Sequence, residues 1–394
     1  MEPLPRGHTL TPPLHVAVLH LGFERVPAAA DLLARFPLLG GFFAPIAATG
    51  AARVTVLGRF WRDEDLRQGG VDYRFRVDDP SCRLAGPLLR PTALYRLLDD
   101  LAPDVVHVNG MLFPLHVAEL RCRLPTGTAI VVQHHGERPR RWSRTLAQRV
   151  LRGCVDGFLF SADGIADEWR RAGAIGKHQP VFEVLEASSP LMPRDRVESR
   201  SITGMSGDPA VLWVGRLHPR KSPLLALEAF DLARRALPDP RLFIVFQEDQ
   251  LLPDVRAMCA ARPGLAERVH LVGRVPHAQL DAWFSAADLF ITTSEAEGSN
   301  IALIEALSCG LLPVCTDVPA NRYVVAAGAA GVLFPYGDAR RGAEALVQAA
   351  ARSQSEGQAL RTQLRAHFES RLSWPAVAQQ ALGAYRAALA RRRR

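Results

Sequence analysis

Two glutamates eight residues apart, Glu297 and Glu305, bracket the segment Glu297-Gly-Ser-Asn-Ile-Ala-Leu-Ile-Glu305, which follows an apolar run at 288–292. Carboxylates accept hydrogen bonds from hydroxyl-rich ligands such as ribose and hexose. Gly298 lets a ligand come close to the backbone. A helix starting near Ser299 or Asn300 would direct the amides of Ser299, Asn300 and Ile301 outward with the positive end of its dipole, a setting that suits a diphosphate. At 100° per residue, eight residues leave Glu305 about 80° from Glu297, so both carboxylates are expected along one wall. In isolation an acid before a helix and a glutamate within it are ordinary surface features; their neighbours give the pair chemical meaning.

A second segment, Trp213-Val-Gly215-Arg216-Leu-His-Pro-Arg220-Lys221, again follows an apolar run. Gly215 leaves room beside the run's end, while Arg216 and Lys221 supply the fixed positive charge that a departing nucleoside diphosphate needs. A third, Gln133-His134-His135-Gly136, places two imidazoles after a β-branched run. A neutral imidazole can bond a sugar hydroxyl or carry a proton, although a histidine in this position is often structural. Asp104-Val-Val-His107-Val-Asn109-Gly110 reads as a neighbouring strand ending near the same place.

The elements that must position these loops are legible as alternation. Short apolar runs at 15–19, 53–57, 105–108, 129–133 and 157–160 are separated by helical stretches, the pattern of a parallel sheet covered by helices. A polar, Pro- and Ser-bearing stretch at 188–208 lacks apolar period and reads as a connection. The alternation resumes with runs at 210–214, 241–246, 268–272, 288–292, 311–315 and 331–334. Ser222-Pro223 reads as an N-cap followed by proline at the first helical position. Two doubly wound units are therefore expected, with a helical tail from about residue 373. In such sheets ligands bind beyond the carboxyl ends of strands, where all three loops fall.

Composition narrows the class. The 394 residues suffice for two or three cores, and 48% apolar with 22% charged residues is a globular mix. The longest nearly apolar stretch, 38–52, is shorter than the roughly 20 residues of a membrane span and contains Gly40, Gly41 and Pro45. Six cysteines form no CxxC pair, so neither a disulfide framework nor a structural zinc site is expected. The opening MEPLPRGHTLTPP lacks the charged and apolar regions of a signal peptide, which predicts a cytoplasmic protein. The net charge of +8 is concentrated in Arg391 to Arg394 and in the segment 138–149, where Trp142 sits among arginines. Solvated faces and a basic tail account for part of it; the rest suits an anionic acceptor or the surface of an anionic membrane. No pattern of a nucleic-acid reader accompanies it.

Taken together, the motifs resemble the family 4 glycosyltransferases (glycosyl transferases group 1), and the resemblance runs over most of the chain. The segment 213–221 is similar to that family's VGRL…K stretch, and 297–314 to its Glu–seven residues–Glu helix with the EAxxCGxPV continuation. Residues 328–338 resemble its GxxGxLxPxGD, and 372–385 its FSW…Y helix. The resemblance implies an α/β chain of the GT-B fold: two Rossmann-like doubly wound domains facing across a cleft, with a C-terminal helix crossing back to the first. Boundaries would fall at 1–190 for an acceptor-binding domain, 191–370 for a donor-binding domain and 371–394 for that helix.

It further implies a retaining, hexosyl-transferring enzyme that moves sugar from a nucleoside diphosphate sugar to an acceptor hydroxyl, in glycan, polysaccharide or lipopolysaccharide synthesis. The cofactor expectation is none, and no metal is required. His135 and Glu297 would serve the transferred sugar. Gly215, Arg216, Lys221, Gly298, Ser299, Asn300, Ile301 and Glu305 would hold the donor. The partners would be the donor, a glycan or lipid-linked acceptor and a peripheral anionic membrane surface at the inner face, with no nucleic acid.

Three departures mark a subfamily. Val184-Leu-Glu186-Ala-Ser188-Ser189-Pro190 stands where the family has PNGVD. His20-Leu-Gly22-Phe-Glu stands where the family has a Gly-Gly loop, and Phe246-Gln247-Glu248-Asp249 where it has Gly-x-Gly. The competing readings are a nucleotide-sugar epimerase of the same fold and a non-catalytic sugar-nucleotide or glycan-binding protein. A metal-dependent transferase would need an Asp-x-Asp at a strand end, and Asp63-Glu-Asp65 reads as surface charge instead. The glycine spacings of a dinucleotide oxidoreductase and of a P-loop are missing.

Overall fold

A computed structural model describes residues 12–23, 26–77, 90–139 and 143–394. Trp142, Cys82 and the opening segment lie outside the described residues. The chain divides into two compact units: Met1–Phe160 with Glu168–Val184 and Ala378–Arg394, and Ser161–Asp167 with Leu185–Val377.

Strands of the first unit are β1 (Leu14–Phe23), β2 (Ala52–Arg59), β3 (Glu64–Gln68), β4 (Val71–Arg76), β5 (Val105–Asn109), β6 (Ala129–Gln133), β7 (Gly157–Phe160) and β8 (Val181–Glu183). They form one sheet in the order β3-β4-β2-β1-β5-β6-β7-β8. All neighbours are parallel except β3 and β4, which pair antiparallel across Gly69-Gly70. Both glycines have positive φ, 59° and 77°, the backbone that a two-residue hairpin turn requires. Central strands covered on both faces read as continuous apolar runs: Val16, Ala17, Val18 and Leu19 are all fully buried.

The second unit contains β9 (Ala210–Gly215), β10 (Arg241–Phe246), β11 (Val269–Gly273), β12 (Leu289–Thr292), β13 (Leu312–Thr316) and β14 (Val332–Phe334). Their order is β11-β10-β9-β12-β13-β14 and every pair is parallel. This is the doubly wound order in which direction reverses between the first and fourth strands, here β9 and β12. Asp288 ties the start of this seam, its Oδ2 accepting from the Ala210 amide at 2.8 Å and from Arg200 at 2.8 Å.

Every run expected as a strand is one, while β3, β4 and β8 fall outside the expected runs. Three local readings change. The stretch 188–208 is not an open connection: it carries the helix Arg196–Thr203, capped by Asp195 accepting from the Glu198 amide at 2.8 Å. That helix is fastened by Arg200 Nε to the Ala286 carbonyl at 3.1 Å. Ser222 precedes the helix Pro223–Ala233 without a side-chain cap: its backbone is left-handed, φ 45° and ψ 53°, rather than extended as at a capping serine, and its hydroxyl donates to the Pro219 carbonyl at 3.0 Å. The arginine-rich end is no loose basic tail. Tyr385, on the helix Trp374–Arg392, is fully buried with its hydroxyl 2.8 Å from His107 Nδ1. Arg391, Arg392 and Arg393 bond the His178 carbonyl, the Thr126 carbonyl and the Asp104 carboxylate.

Among the described residues no single helix is long and apolar enough to cross a membrane. The bent pair Ala29–Arg35 and Leu39–Ala48 meets length and composition alone, and its Leu32, Phe42, Phe43 and Ile46 are buried core residues.

Candidate functional site

The carboxyl ends of β9 and β12 lie side by side at the switch point, so the loops that follow them must meet. Hydrogen bonds to the backbone of the first loop lock them together. The Glu295 amide donates to the Arg220 carbonyl at 3.1 Å, and Thr293 Oγ1 donates to the Lys221 and Ser222 carbonyls at 3.1 and 2.8 Å. The side chains complete the junction: Lys221 Nζ lies 2.5 Å from Glu297 Oε1, with the two side chains 23% and 10% exposed. Residues 76 positions apart thus share one charge pair.

Arg216 is half exposed and faces Glu248 at 3.5 Å. The loop after β10 is drawn to it by backbone bonds, Leu217 N to Glu248 O and Leu251 N to Leu217 O, both 2.9 Å. The segment that replaces the family's Gly-x-Gly therefore places an acid beside the cation expected to hold phosphate. A Cβ on Gly215 would lie 2.9 Å from the buried Trp213 indole, so packing also calls for glycine there.

The helix after β12 runs from Ile301 to Ser308, and residues 297–300 precede it as loop. Glu297 lies outside the helix, so the helical repeat does not relate it to Glu305 and the two glutamates are not set along one helical wall. Glu297 turns to Lys221, whereas Glu305, 3% exposed, accepts from His277 Nε2 at 2.7 Å. Glu305 holds the His277 pKa above its ordinary value, outweighing the opposing effect of burial. His277 is a functional candidate that the sequence reading missed; the Pro276-His277 turn at a strand end was its available signal.

Asn300 sits at the helix N-cap with φ 46° and ψ 71°, and its amide donates to Asn321 Oδ1 at 2.7 Å. Asn321 is held in turn by the Thr316 carbonyl at 2.9 Å. Ser299 is buried with its hydroxyl 3.4 Å from Glu186, whose carboxylate would be 3.1 Å from a Cβ on Gly298. The Ser299 and Asn300 side chains thus support the loop from within. Ile301 is 46% exposed at the first helical turn.

In the first unit, His135 follows β6, its Nε2 2.9 Å from Asn109 Oδ1 at the end of β5. His134 is 3% exposed, stacks on Phe160 and bonds the Glu137 carbonyl at 2.8 Å, a core role. Glu137, also missed, accepts from the His135 amide at 2.6 Å and the Met111 amide at 2.9 Å, fastening the ends of β5 and β6 together. β1 continues as a strand to Phe23, with its register shifting after His20, where the family has a glycine loop. Asp65 of the Asp-x-Asp spelling pairs with Arg76 across the β3–β4 hairpin. Among the described residues no group of three or more His, Cys, Asp or Glu is placed to hold a metal ion.

Two doubly wound units carrying loops of this kind define the GT-B fold, and the solved structures agree. The Anabaena protein Alr3699/HepE, in complexes with UDP-glucose and with UDP, superposes with TM-scores of 0.64 and 0.68 at 16% and 17% identity, over 94% of this chain and 98% of that one. Residues 208–352, the body of the second unit, match the family described as Glycosyl transferases group 1. Curated relatives include D-inositol 3-phosphate glycosyltransferase of Segniliparus rotundus, 33% identical over 50% of this chain and 44% of that enzyme. Another is GDP-mannose:cellobiosyl-diphosphopolyprenol alpha-mannosyltransferase of Xanthomonas campestris, 30% identical over 45% and 47%. The chain aligns with less than half of the length of these two relatives.

Proposed function

We propose that this chain is a retaining glycosyltransferase that moves a hexosyl group from a nucleoside diphosphate sugar to an acceptor hydroxyl. One observation carries the reading: Lys221 and Glu297 converge at the β9/β12 switch point, a cation beside a carboxylate where doubly wound folds bind ligands. In this reading Arg216 and Lys221 neutralise the charge that grows on the departing diphosphate, helped by the backbone at Gly298 to Ile301. Glu297 accepts hydrogen bonds from the transferred sugar and Glu305 from the ribose. The acceptor oxygen attacks on the face from which the diphosphate leaves, and a phosphate oxygen takes the acceptor proton. The anomeric configuration is kept without a protein nucleophile, and no bound metal is called for. His135, its ring held by Asn109, is assigned a sugar or acceptor hydroxyl.

The names of the relatives support a sugar-nucleotide donor: one neighbour was solved with UDP-glucose, and one relative is named for GDP-mannose and a diphosphopolyprenol acceptor. The acceptor class inferred is a glycan or lipid-linked intermediate of polysaccharide or lipopolysaccharide synthesis, met at an anionic membrane surface. The helix Ser143–Leu151 supports this contact, since Leu146 and Val150 are 59% and 72% exposed on an element that also bears Arg149.

A thermal-shift panel of UDP-, GDP- and ADP-sugars tests the donor assignment. Stabilisation by one donor, lost in Arg216→Ala and Glu305→Ala, is the expected result; no stabilisation by any of them defeats it. Proton NMR of the product's anomeric centre tests retention. Flotation with anionic and neutral vesicles tests the membrane contact, and equal binding to both counts against it.

A further inference from the structure

We propose that His277 is a positioning residue for nucleotide binding: by holding one oxygen of Glu305, it sets how that carboxylate is presented to the ribose hydroxyls of a nucleoside diphosphate. The inference deepens the reading of Glu305 given above and rests on it.

The two partners come from different elements and have opposite environments. His277 opens the turn His277–Gln279 after β11, and its side chain is 56% exposed. Glu305 lies on the helix Ile301–Ser308 with its side chain 4% exposed. The imidazole therefore reaches from solvent to a buried acid, and at 2.7 Å its Nε2 donates a charge-assisted hydrogen bond to Oε1. A bond of this kind leaves Oε2 for a ligand and restrains the carboxylate's rotation.

Among the described residues, His277 is the basic group paired with Glu305. Asp281 on the neighbouring helix Leu280–Ala286 is bonded to Arg194 at 2.7 Å, and Arg365 is directed to the Ser308 carbonyl. The Cys309 thiol, pushed up to about 12 mainly by burial, stays neutral. The shift of His277 above its ordinary value is consistent with the same geometry.

Ribose is common to UDP, GDP and ADP and missing from inorganic pyrophosphate, which makes the role separable from a general effect on the site. Calorimetric titrations of wild type, His277→Ala and His277→Gln with these four probes are the test. The expected result for His277→Ala is about tenfold weaker binding of the nucleoside diphosphates that wild type takes, with pyrophosphate unchanged. His277→Gln keeps a donor at the side-chain tip and restores most of the loss. Equal weakening toward pyrophosphate, unchanged nucleotide binding in His277→Ala, or failure of Gln to rescue would each overturn the proposal.

Glu305→Gln distinguishes the levels of the argument. If it leaves nucleotide affinity unchanged, the assignment of Glu305 to ribose falls. If it weakens binding while His277→Ala does not, only the role of His277 falls. Because His277 is largely exposed, its variants are expected to melt within a few degrees of wild type.

Discussion

Replacing Glu297 by Gln separates the two tasks assigned to its carboxylate. The Lys221–Glu297 pair, 2.5 Å apart with side chains 23% and 10% exposed, is neither a surface bridge nor a fully buried one. Exposed pairs contribute at most about 1 kcal/mol, and breaking a buried one costs about 3–5 kcal/mol. An intermediate value of about 1–2 kcal/mol opposes Lys221 turning toward a diphosphate. Gln preserves shape and an acceptor oxygen but removes the charge, so affinity for the bound nucleoside diphosphate is expected to rise about five- to thirtyfold. Turnover is expected to fall about 10- to 150-fold, because a charge-assisted bond to the sugar hydroxyl contributes about 1.5–3 kcal/mol. Lys221→Met should move affinity the opposite way, weakening it about 10- to 100-fold. Calorimetry with UDP, GDP and ADP at fixed ionic strength gives the affinities, and nucleoside diphosphate release gives turnover. If Glu297→Gln weakens binding as much as Lys221→Met does, the pair is a staple between two loops, and the reasoning is refuted.

Three further outcomes follow from the same geometry. Glu248→Gln is expected to tighten pyrophosphate binding by no more than about fivefold, because the pair it forms with Arg216 is half exposed on both sides; weaker binding would assign Glu248 to the ligand instead. Tyr385→Phe should lower stability by about 1–3 kcal/mol in urea titration, since it leaves a buried His107 nitrogen without its partner; an unchanged midpoint contradicts that bond. Burial first, and His135 second, hold the His107 pKa down to about 3, against an ordinary 6.5. The unfolded chain therefore binds this proton first, so the stabilisation is complete above pH 6.5 and is lost as pH falls toward 3, costing about 1.4 kcal/mol at pH 5.5. Urea midpoints at pH 7.5 and 5.5, compared with those of His107→Gln, measure this; an equal acid sensitivity in the variant rules it out.

How far the fold could be read in advance depended on the range of the forces involved. Val16 to Leu19 and the runs of the second unit are apolar because both faces of a central parallel strand are covered, and that demand is written into consecutive residues. The hairpin at Gly69-Gly70 also had a local signal, two glycines between alternating residues, as did the Asp195-to-Glu198 cap inside the supposed connection. Both lie in polar surroundings, without an apolar run to mark them. The switch-point loops were recognisable by residue type: a cation-bearing loop after one strand and an acid-bearing loop after another.

Which partner each charge would take was not recognisable. Glu297 and Glu305 look like a pair along the chain, yet one meets Lys221, 76 positions away, and the other His277, 28 positions away. Asn300 looks like a ligand-facing residue, yet it is held inward by Asn321. The arginines at the end look like a solvated tail, yet Arg391 to Arg393 bond strand-end and loop oxygens of the first unit. Sequence by itself determined the elements, their doubly wound alternation and the loops where charge collects, because propensity and burial act on neighbouring residues. Only the tertiary structure decided how those charges pair, because a hydrogen bond depends on distances of a few ångströms that strand order sets between residues remote in the chain.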